Sequence, residues 1–464
     1  MKASKEISKQ DLFENLPVPK ALAALAVPTI ISQIINLVYN MVDAFFIGRT
    51  GNSYMMAATT LTLTLVMMHS AFSALFGIGG GSLIARLLGL QDTEGTKRVS
   101  AFSIYGAAAI ALTYSLLLGL FLDPVLTVLG ASEDTIGYAR QYTILVVVLG
   151  SLPGILSMTL ANLLRNVGCS SQASVGLSGG GILNLFLDPL FMFVLLPEGY
   201  EVVGAALATL LSNVFACVYL LIAFRKASKT SPLSLKLSDA AQIGKKNLRN
   251  LLTVGVPSAI LTGLFDVANV FVNMLAAAHG DLVLAGLGIV MKVERIPNAI
   301  NLGICQGMMP VVAYNYSSGD HARMKKAMDT ARLWGWMVSG VSILLLEVFA
   351  GPVTKLFLST GSENAETAIQ TVAYAAVFLR IRCLASPVQF TNYHSSNCMQ
   401  AMGDGSGTML HAVIRELVIY IPFMFLLDTL FGQYGLAAAF PTAEGCSAVL
   451  AMFLLRRSMK KDRH

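Results

Sequence analysis

Charge is what this chain has least of. Only 12% of its 464 residues are Asp, Glu, Lys or Arg, against roughly 25% in an ordinary soluble domain, too few to clothe a surface in water. Its six cysteines (Cys169, Cys217, Cys305, Cys383, Cys398 and Cys446) form no C-x-x-C pair and no metal-ligand spacing. They are expected to be small buried residues, with no disulfide framework and no thiolate metal site. No G-x-x-x-x-G-K-[ST] occurs; the GKK at 244–246 lacks its glycine partner, and no loop could hold a nucleotide-binding domain. That excludes a pump driven by ATP. The first 20 residues mix both charge signs around no apolar centre, so no cleaved signal peptide is expected.

What the chain has is hydrocarbon: 55% of its residues are hydrophobic, and they fall in windows of about 20, the length that crosses a bilayer core. Such windows predict 12 spans, at 22–47, 55–80, 101–122, 138–164, 173–196 and 202–224, then 251–278, 283–314, 333–350, 368–399, 407–430 and 435–455. The fold class is therefore an all-α integral membrane protein. Of the 32 basic residues, 24 fall in the segments that share a side with the N-terminus and three (Arg49, Arg140 and Lys355) on the other. Excess Lys and Arg mark the cytoplasmic side, which predicts a multi-pass cell-membrane protein with both termini inside. The net charge of +6 belongs to those loops, and no nucleic-acid partner is expected. The predicted organisation is a cytoplasmic segment (1–20), an N-terminal lobe (21–224), a linker (225–249), a C-terminal lobe (250–455) and a tail (456–464).

The two lobes repeat. TVGVPSAILTGLFDVANVFVNMLAAAHG aligns with LAVPTIISQIINLVYNMVDAFFIGRTG, placing Pro257 on Pro28, Asn269 on Asn40 and Gly280 on Gly51. GICQG (303–307) matches GIGGG (77–81), and PFMF (422–425) matches PLFMF (189–193). Six spans per half, both beginning inside, imply pseudo-symmetry about an axis along the membrane normal. The G-x-x-x-G pairs Gly77/Gly81 and Gly303/Gly307 suit close helix packing; their recurrence favours a place at a shared central cavity.

Five basic residues, Lys292, Arg295, Arg380, Arg382 and Arg415, lie inside predicted spans, as do several acids. Charge at membrane depth costs on the order of 2.5–3.5 kcal/mol even on insertion scales, so such groups face a partner, an ion or a wet cavity. In span five Asp188 follows Asn184 by four residues and precedes Pro189. The spacing sets amide and carboxylate on one face, and Pro189 removes a backbone donor, freeing an upstream carbonyl. In span one Gln33, Asn36, Asn40 and Asp43 form one polar stripe. At 1.5 Å per residue Asp43 lies roughly 6–8 Å from the outer end of its span, Asp188 about 12 Å and Thr209 about 10 Å. Two carboxylates close together in low dielectric do not both stay ionised without a cation; one takes a proton, or Na⁺ sits between them. Asp43, Asn184, Asp188 and Thr209 are therefore the candidate coupling-ion site, the first three being Na⁺ ligands if Na⁺ is the ion. The second half does not repeat it: Ile421, Leu417 and Val272 stand where Asp188, Asn184 and Asp43 would. It carries instead Asp266, Lys292, Glu294, Arg295, Arg380, Arg382, Arg415, Glu416 and Glu444. These form either a self-neutralised network that pins helices or, with Asp266 foremost, part of a substrate cavity.

The stretches VPTIISQIINLVYNMVDAFFIG, NLFLDPLF and GAALATLLSN, set in the repeated six-plus-six plan, resemble the multidrug and toxic compound extrusion (MATE) family in its prokaryotic branch, over about residues 14–455. The resemblance implies two six-helix bundles in a V and export of amphipathic, often cationic compounds driven by Na⁺ or H⁺. It also implies a monomer with no cofactor beyond the transported ion, and no enzymatic activity. In relatives the acid of span one, the Asn and Asp of N-x-x-x-D-P and a Thr of span six form the cation site, corresponding here to Asp43, Asn184, Asp188 and Thr209. Some relatives use an acid in span seven, the span of Asp266. Candidate cavity and gating residues are Pro28, Gln33, Asn36, Tyr39, Asn40, Asp266, Asn269, Lys292, Glu294, Arg295 and Arg380. Two other classes compete. Gly176-Leu-Ser178-Gly-Gly180 matches G-x-S-x-G, yet no histidine pattern supports a serine nucleophile. A flippase for lipid-linked or anionic substrates, of the same superfamily, would place the basic residues of the second half against a pyrophosphate head.

Overall fold

In the structure, a computed structural model, residues 9–356 and 365–460 are described. Lys2, Lys5, Lys461 and Arg463 of the charge count lie outside the described residues, as does the side chain of Asp266. Among the described residues every regular element is helical. A short helix, Lys9–Glu14, leads into α1 (Val18–Arg49), α2 (Ser53–Gly89) and α3 (Thr93–Leu120). Next come α4 (Glu133–Leu149 and Ser151–Asn166), α5 (Ser170–Leu195) and α6 (Glu201–Ala227). The second half holds α7 (Gly244–Ala278), α8 (Asp281–Ser318), α9 (His321–Leu356) and α10 (Ala365–Cys383 and Ser386–Met402). A last run of 56 residues, Gly405–Lys460, completes it. Gly432, at φ 58° and ψ −144°, a conformation that only glycine holds at low cost, divides that run into α11 (405–431) and α12 (433–460).

Among the described residues eight runs, the last being Gly405–Lys460 taken whole, are long and apolar enough to cross a bilayer, and two more are so as bent pairs. α8 falls short because Lys292, Glu294, Arg295, Asn298, Asn301 and Gln306 run through it. Several of the predicted spans are long enough to tilt or kink, and spans four and ten are bent. α4 turns by 45° at Gly150, behind the π-helical segment Ile144–Leu149, where a Cβ would meet the carbonyl oxygen of Val146 at 2.1 Å. α10 turns by 50° between Cys383 and Ser386. The chain breaks at Leu384 and Ala385 and restarts at Ser386 with Pro387 in the first turn, where its missing N–H costs nothing. Side chains such as Phe186, Val270, Leu344 and Val449 point outward and are each about two-thirds exposed, as a lipid-facing surface requires.

The halves meet through α1 on α8 and through α2 on α7 and α8. A Cβ on Gly307 would lie 2.5 Å from the Cα of Ala26, and one on Gly303 2.9 Å from that of Ile30, so these backbones touch with Pro28 between the two contacts. Farther along, α1 leans on its own half: Tyr39 and Ile35 cover Gly181 of α5. Gly79 fits against Gly255, while Gly77 and Gly81 fit against Asn162 and Asn166. The glycine motifs are thus contact points for close packing, the first of the two readings that the sequence offers. On the face that holds the chain's first described residues, a strap joins both halves. Leu12 and Phe13 are buried beside Gly168 of the first half. Phe13 stacks on Tyr314 of α8 at 5.0 Å, and Tyr314 hydrogen-bonds Glu14. Arg323 donates to the carbonyls of Phe13 and Leu16.

Candidate functional site

α5 brings Asn184 and Asp188 to the face it packs on α1, where Asp188 is fully buried and Asn184 is 2% exposed. The Nδ2 of Asn184 donates to Oδ1 of Asp188 at 3.0 Å. Pro189 follows, and α5 then widens into a π-helical turn at Phe191–Leu195, a feature that clusters at functional sites. Asp43, half-buried on α1, lies within electrostatic reach of Asp188. Three oxygens here are buried without a hydrogen-bond partner: Oδ1 of Asp43, Oδ1 of Asn184 and Oδ2 of Asp188. Neither carboxylate belongs to an ion pair among the described residues. Buried polar atoms are nearly always satisfied, so three orphaned acceptors at one place call for a cation or a proton. Carboxylate, amide and hydroxyl oxygens form a hard donor set, suited to H⁺ or Na⁺ and not to a thiolate- or imidazole-seeking metal. Among the described residues no group of three His, Cys, Asp or Glu is arranged to hold a metal.

Two tyrosines complete the surroundings. Tyr39 of α1 lies within electrostatic reach of both carboxylates. So does Tyr142 of α4, buried at 6% exposure, whose hydroxyl hydrogen-bonds Thr209 of α6. Thr209 therefore joins the site through Tyr142. The sequence reading misses Tyr142, because one aromatic residue ahead of ILVVV looks like any core residue; the only signal is its phenol, a polar group in an apolar run.

The remaining candidates divide. Gln33 donates to Oε1 of Gln306 on α8 at 3.2 Å, so it bridges the halves. Asn40 is exposed and donates back to the carbonyl of Asn36 at 2.6 Å. Pro28 lies inside an unbroken α1, and Asn269 is half-buried on α7. In the second half Lys292, Arg295 and Arg380 are exposed, with Arg380 only 3.8 Å from Glu347. Glu294 is held by Arg382 in a bidentate pair, Nε to Oε1 at 3.0 Å and Nη2 to Oε2 at 2.9 Å. Glu294, offered as a cavity or gating residue, is therefore neutralised by Arg382. Arg415 pairs with Glu444, Nε to Oε1 at 3.2 Å, and lies 3.6 Å from Glu416; all three are buried. Asn392 binds Glu444 at 2.6 Å and reaches His411 at 3.1 Å. Of the two readings of these charges, the pinning network describes Glu294, Arg382, Arg415, Glu416 and Glu444. Ser178, from the G-x-S-x-G match, has a buried hydroxyl with no partner at all, as a nucleophile awaiting a base would not.

Known proteins resemble the whole chain. A family model described as MatE matches two stretches, residues 28–190 and 257–426, one in each half. The chain is 30% identical to the multidrug export protein MepA of Staphylococcus aureus strain MRSA252, over 97% of both chains. It is 29% identical to the MepA of Staphylococcus haemolyticus strain JCSC1435, over 96% of this chain and 94% of that one. Among solved structures, a MATE in complex with MaL6 superposes with a TM-score of 0.91 at 22% identity, covering 99% of this chain and all of the other. An outward-facing multidrug resistance MATE family transporter of the MOP superfamily superposes at 0.90 and 23% identity over the full length of both. At those identities the superpositions establish the shared fold.

Proposed function

From the premise that the chain belongs to the MatE family, we propose that it is a secondary active multidrug exporter of the cell membrane. It moves amphipathic, often cationic small molecules outward against an inward flow of Na⁺ or H⁺. The observation that carries this reading is the set of three buried, unpartnered oxygens on Asp43, Asn184 and Asp188. An ion entering that set satisfies acceptors that the protein leaves open. It acts as cargo, bound more tightly in one arrangement of the halves than in the other, and only such differential affinity can bias an alternating-access cycle. A tenfold bias needs about 1.4 kcal/mol, within what a buried carboxylate pair supplies. The protein works as a monomer with both termini in the cytoplasm, its lobes spanning 21–224 and 250–455 about the 225–249 linker. The ion pairs of Arg382 and Arg415 take two of the second half's five in-span basic residues away from a pyrophosphate head, which weakens the flippase reading.

The test is dye accumulation in drug-sensitive cells at matched expression. Asp188→Asn and Asp43→Asn are expected to abolish dye export; an Asp188→Asn variant that exports as well as wild type would sink the coupling role. Proteoliposomes under an imposed Na⁺ gradient or pH gradient then identify the ion, since only one gradient drives uptake in the wild type.

A further inference from the structure

At the end of the molecule that its basic segments assign to the cytoplasm, the opening turns of α7 border an open hollow of about 470 Å³. That is within the range of ligand pockets, roughly 300–1,000 Å³. Lys245, Lys246, Arg249, Asn250 and Thr253 line it, and none of these is an acid. Lys245, Lys246 and Arg249 are exposed, and none of the three belongs to an ion pair among the described residues. Asn250, half-buried beside them, brings an amide donor. The hydroxyl of Thr253 already donates to the carbonyl of Arg249 at 2.7 Å. α7 opens without a side-chain cap, so its first-turn amides lack acceptors within the helix and the positive end of its dipole lies at the hollow.

Below the charges lies bare hydrocarbon. Residues 245, 249, 252 and 256 share one face of a helix. Leu252 and Val256 are 37% and 40% exposed, and they follow Lys245 and Arg249 into the apolar window. Free positive charge above exposed apolar side chains is the profile of an amphiphile with an anionic head. A soluble anion would use the charges and leave the apolar strip without a role. The general excess of basic residues on the cytoplasmic side accounts for lysines and arginines here, but not for three of them about one acid-free hollow.

We infer that this hollow holds the phosphate of an anionic phospholipid of the cytoplasmic leaflet, its chains lying along Leu252 and Val256. Lys245, Lys246 and Arg249 pair with the phosphate, and the planar fork of Arg249 takes two of its oxygens at once. Asn250 donates to the same head. Basic pockets between helices on the cytoplasmic side suit such heads. Farther along α7, Gly255 meets Gly79 and the carbonyl of Leu75 in the first half, so the lipid is held beside the interface at which the halves touch. The inference rests on the membrane placement of the export reading and uses none of the residues of the Asp43–Asp188 site.

Native mass spectrometry of the full chain in detergent tests it, with phosphatidylglycerol and phosphatidylcholine of identical chains as probes. The wild type is expected to retain phosphatidylglycerol at least about tenfold better than phosphatidylcholine. Arg249→Gln is expected to weaken phosphatidylglycerol binding roughly fivefold, the worth of one charge near an anionic head. The triple variant Lys245→Gln/Lys246→Gln/Arg249→Gln is expected to bring it down to the level of phosphatidylcholine. The control, Arg225→Gln/Lys226→Gln/Lys229→Gln, removes three exposed basic residues at and just beyond the end of α6 and is expected to keep the preference. Equal loss in the control means diffuse surface charge and overturns the site, as does a wild type without preference. Inorganic phosphate alone that displaces phosphatidylglycerol from the wild type overturns the lipid assignment in favour of a soluble anion. The outcome is separable from the export reading: Asp188→Asn is expected to bind phosphatidylglycerol like wild type, whether or not it exports dye.

Discussion

Asn184 gives its one bonded donor to Asp188 and keeps its carbonyl oxygen unused in a buried place. The amide thus does two jobs, holding one carboxylate oxygen still and offering its own oxygen to an incoming ion. Asn184→Ala is expected to leave the protein folded and to raise the ion concentration for half-maximal transport roughly tenfold, the value of a hydrogen bond to a charged group. Flux against Na⁺ or proton concentration measures it, and an unchanged half-point would show that the amide is mere packing. The residues of this site were legible in the sequence to the extent that they carry charge or an amide at membrane depth, where cost alone marks them. Tyr142 was illegible for the opposite reason: a phenol crosses the membrane cheaply enough to pass as core.

Among the elements, α11 and α12 are tied by Arg415, Glu416 and Glu444, one cation between two acids. Removing the cation strands two buried carboxylates, while neutralising one acid leaves Arg415 still facing the other. Arg415→Met is therefore expected to cost about 3–5 kcal/mol, the loss on breaking a buried pair, and Glu444→Gln less than half of that. Thermal unfolding in detergent ranks them, and the reverse order would mean that Glu416 does not share the charge. Helix existence followed directly from apolar windows, because a bilayer forbids other backbone arrangements. Helix shape did not. The bend of α4 depends on a π-helical turn ahead of Gly150, and the near-continuity of α11 with α12 depends on the backbone of Gly432; neither changes the hydropathy of the window that contains it.

Across the molecule, the duplicated halves were visible as aligned Pro, Asn and Gly positions, yet the alignment could not tell which glycines touch which backbone. Gly303 and Gly307 turn out to serve the opposite half. Alternating access requires this seam to part, and rigid-body rotation of packed halves is an established way to do it. The pair Gln33–Gln306 spans the seam, so Gln33→Cys/Gln306→Cys joined by a short thiol cross-linker is expected to halt dye export, with reduction restoring it. Export that continues through the cross-link would place the moving interface elsewhere. Gly307→Leu is expected to be more severe than a surface change: its first carbon would already overlap Ala26, and overpacking of this kind costs about 1–3 kcal/mol or more.

Phe13 sits between a ring of α8 and the turn at Gly168, so its surroundings differ according to whether the two halves are together or apart. Only two tryptophans occur in the chain, both on α9, and replacing them with phenylalanine would leave a Phe13→Trp indole as the sole emitter. Its colour would then report the direction in which the transporter is open, turn by turn, as substrate or ion is added. A spectrum indifferent to every addition would mean that the opening residues ride with one half throughout.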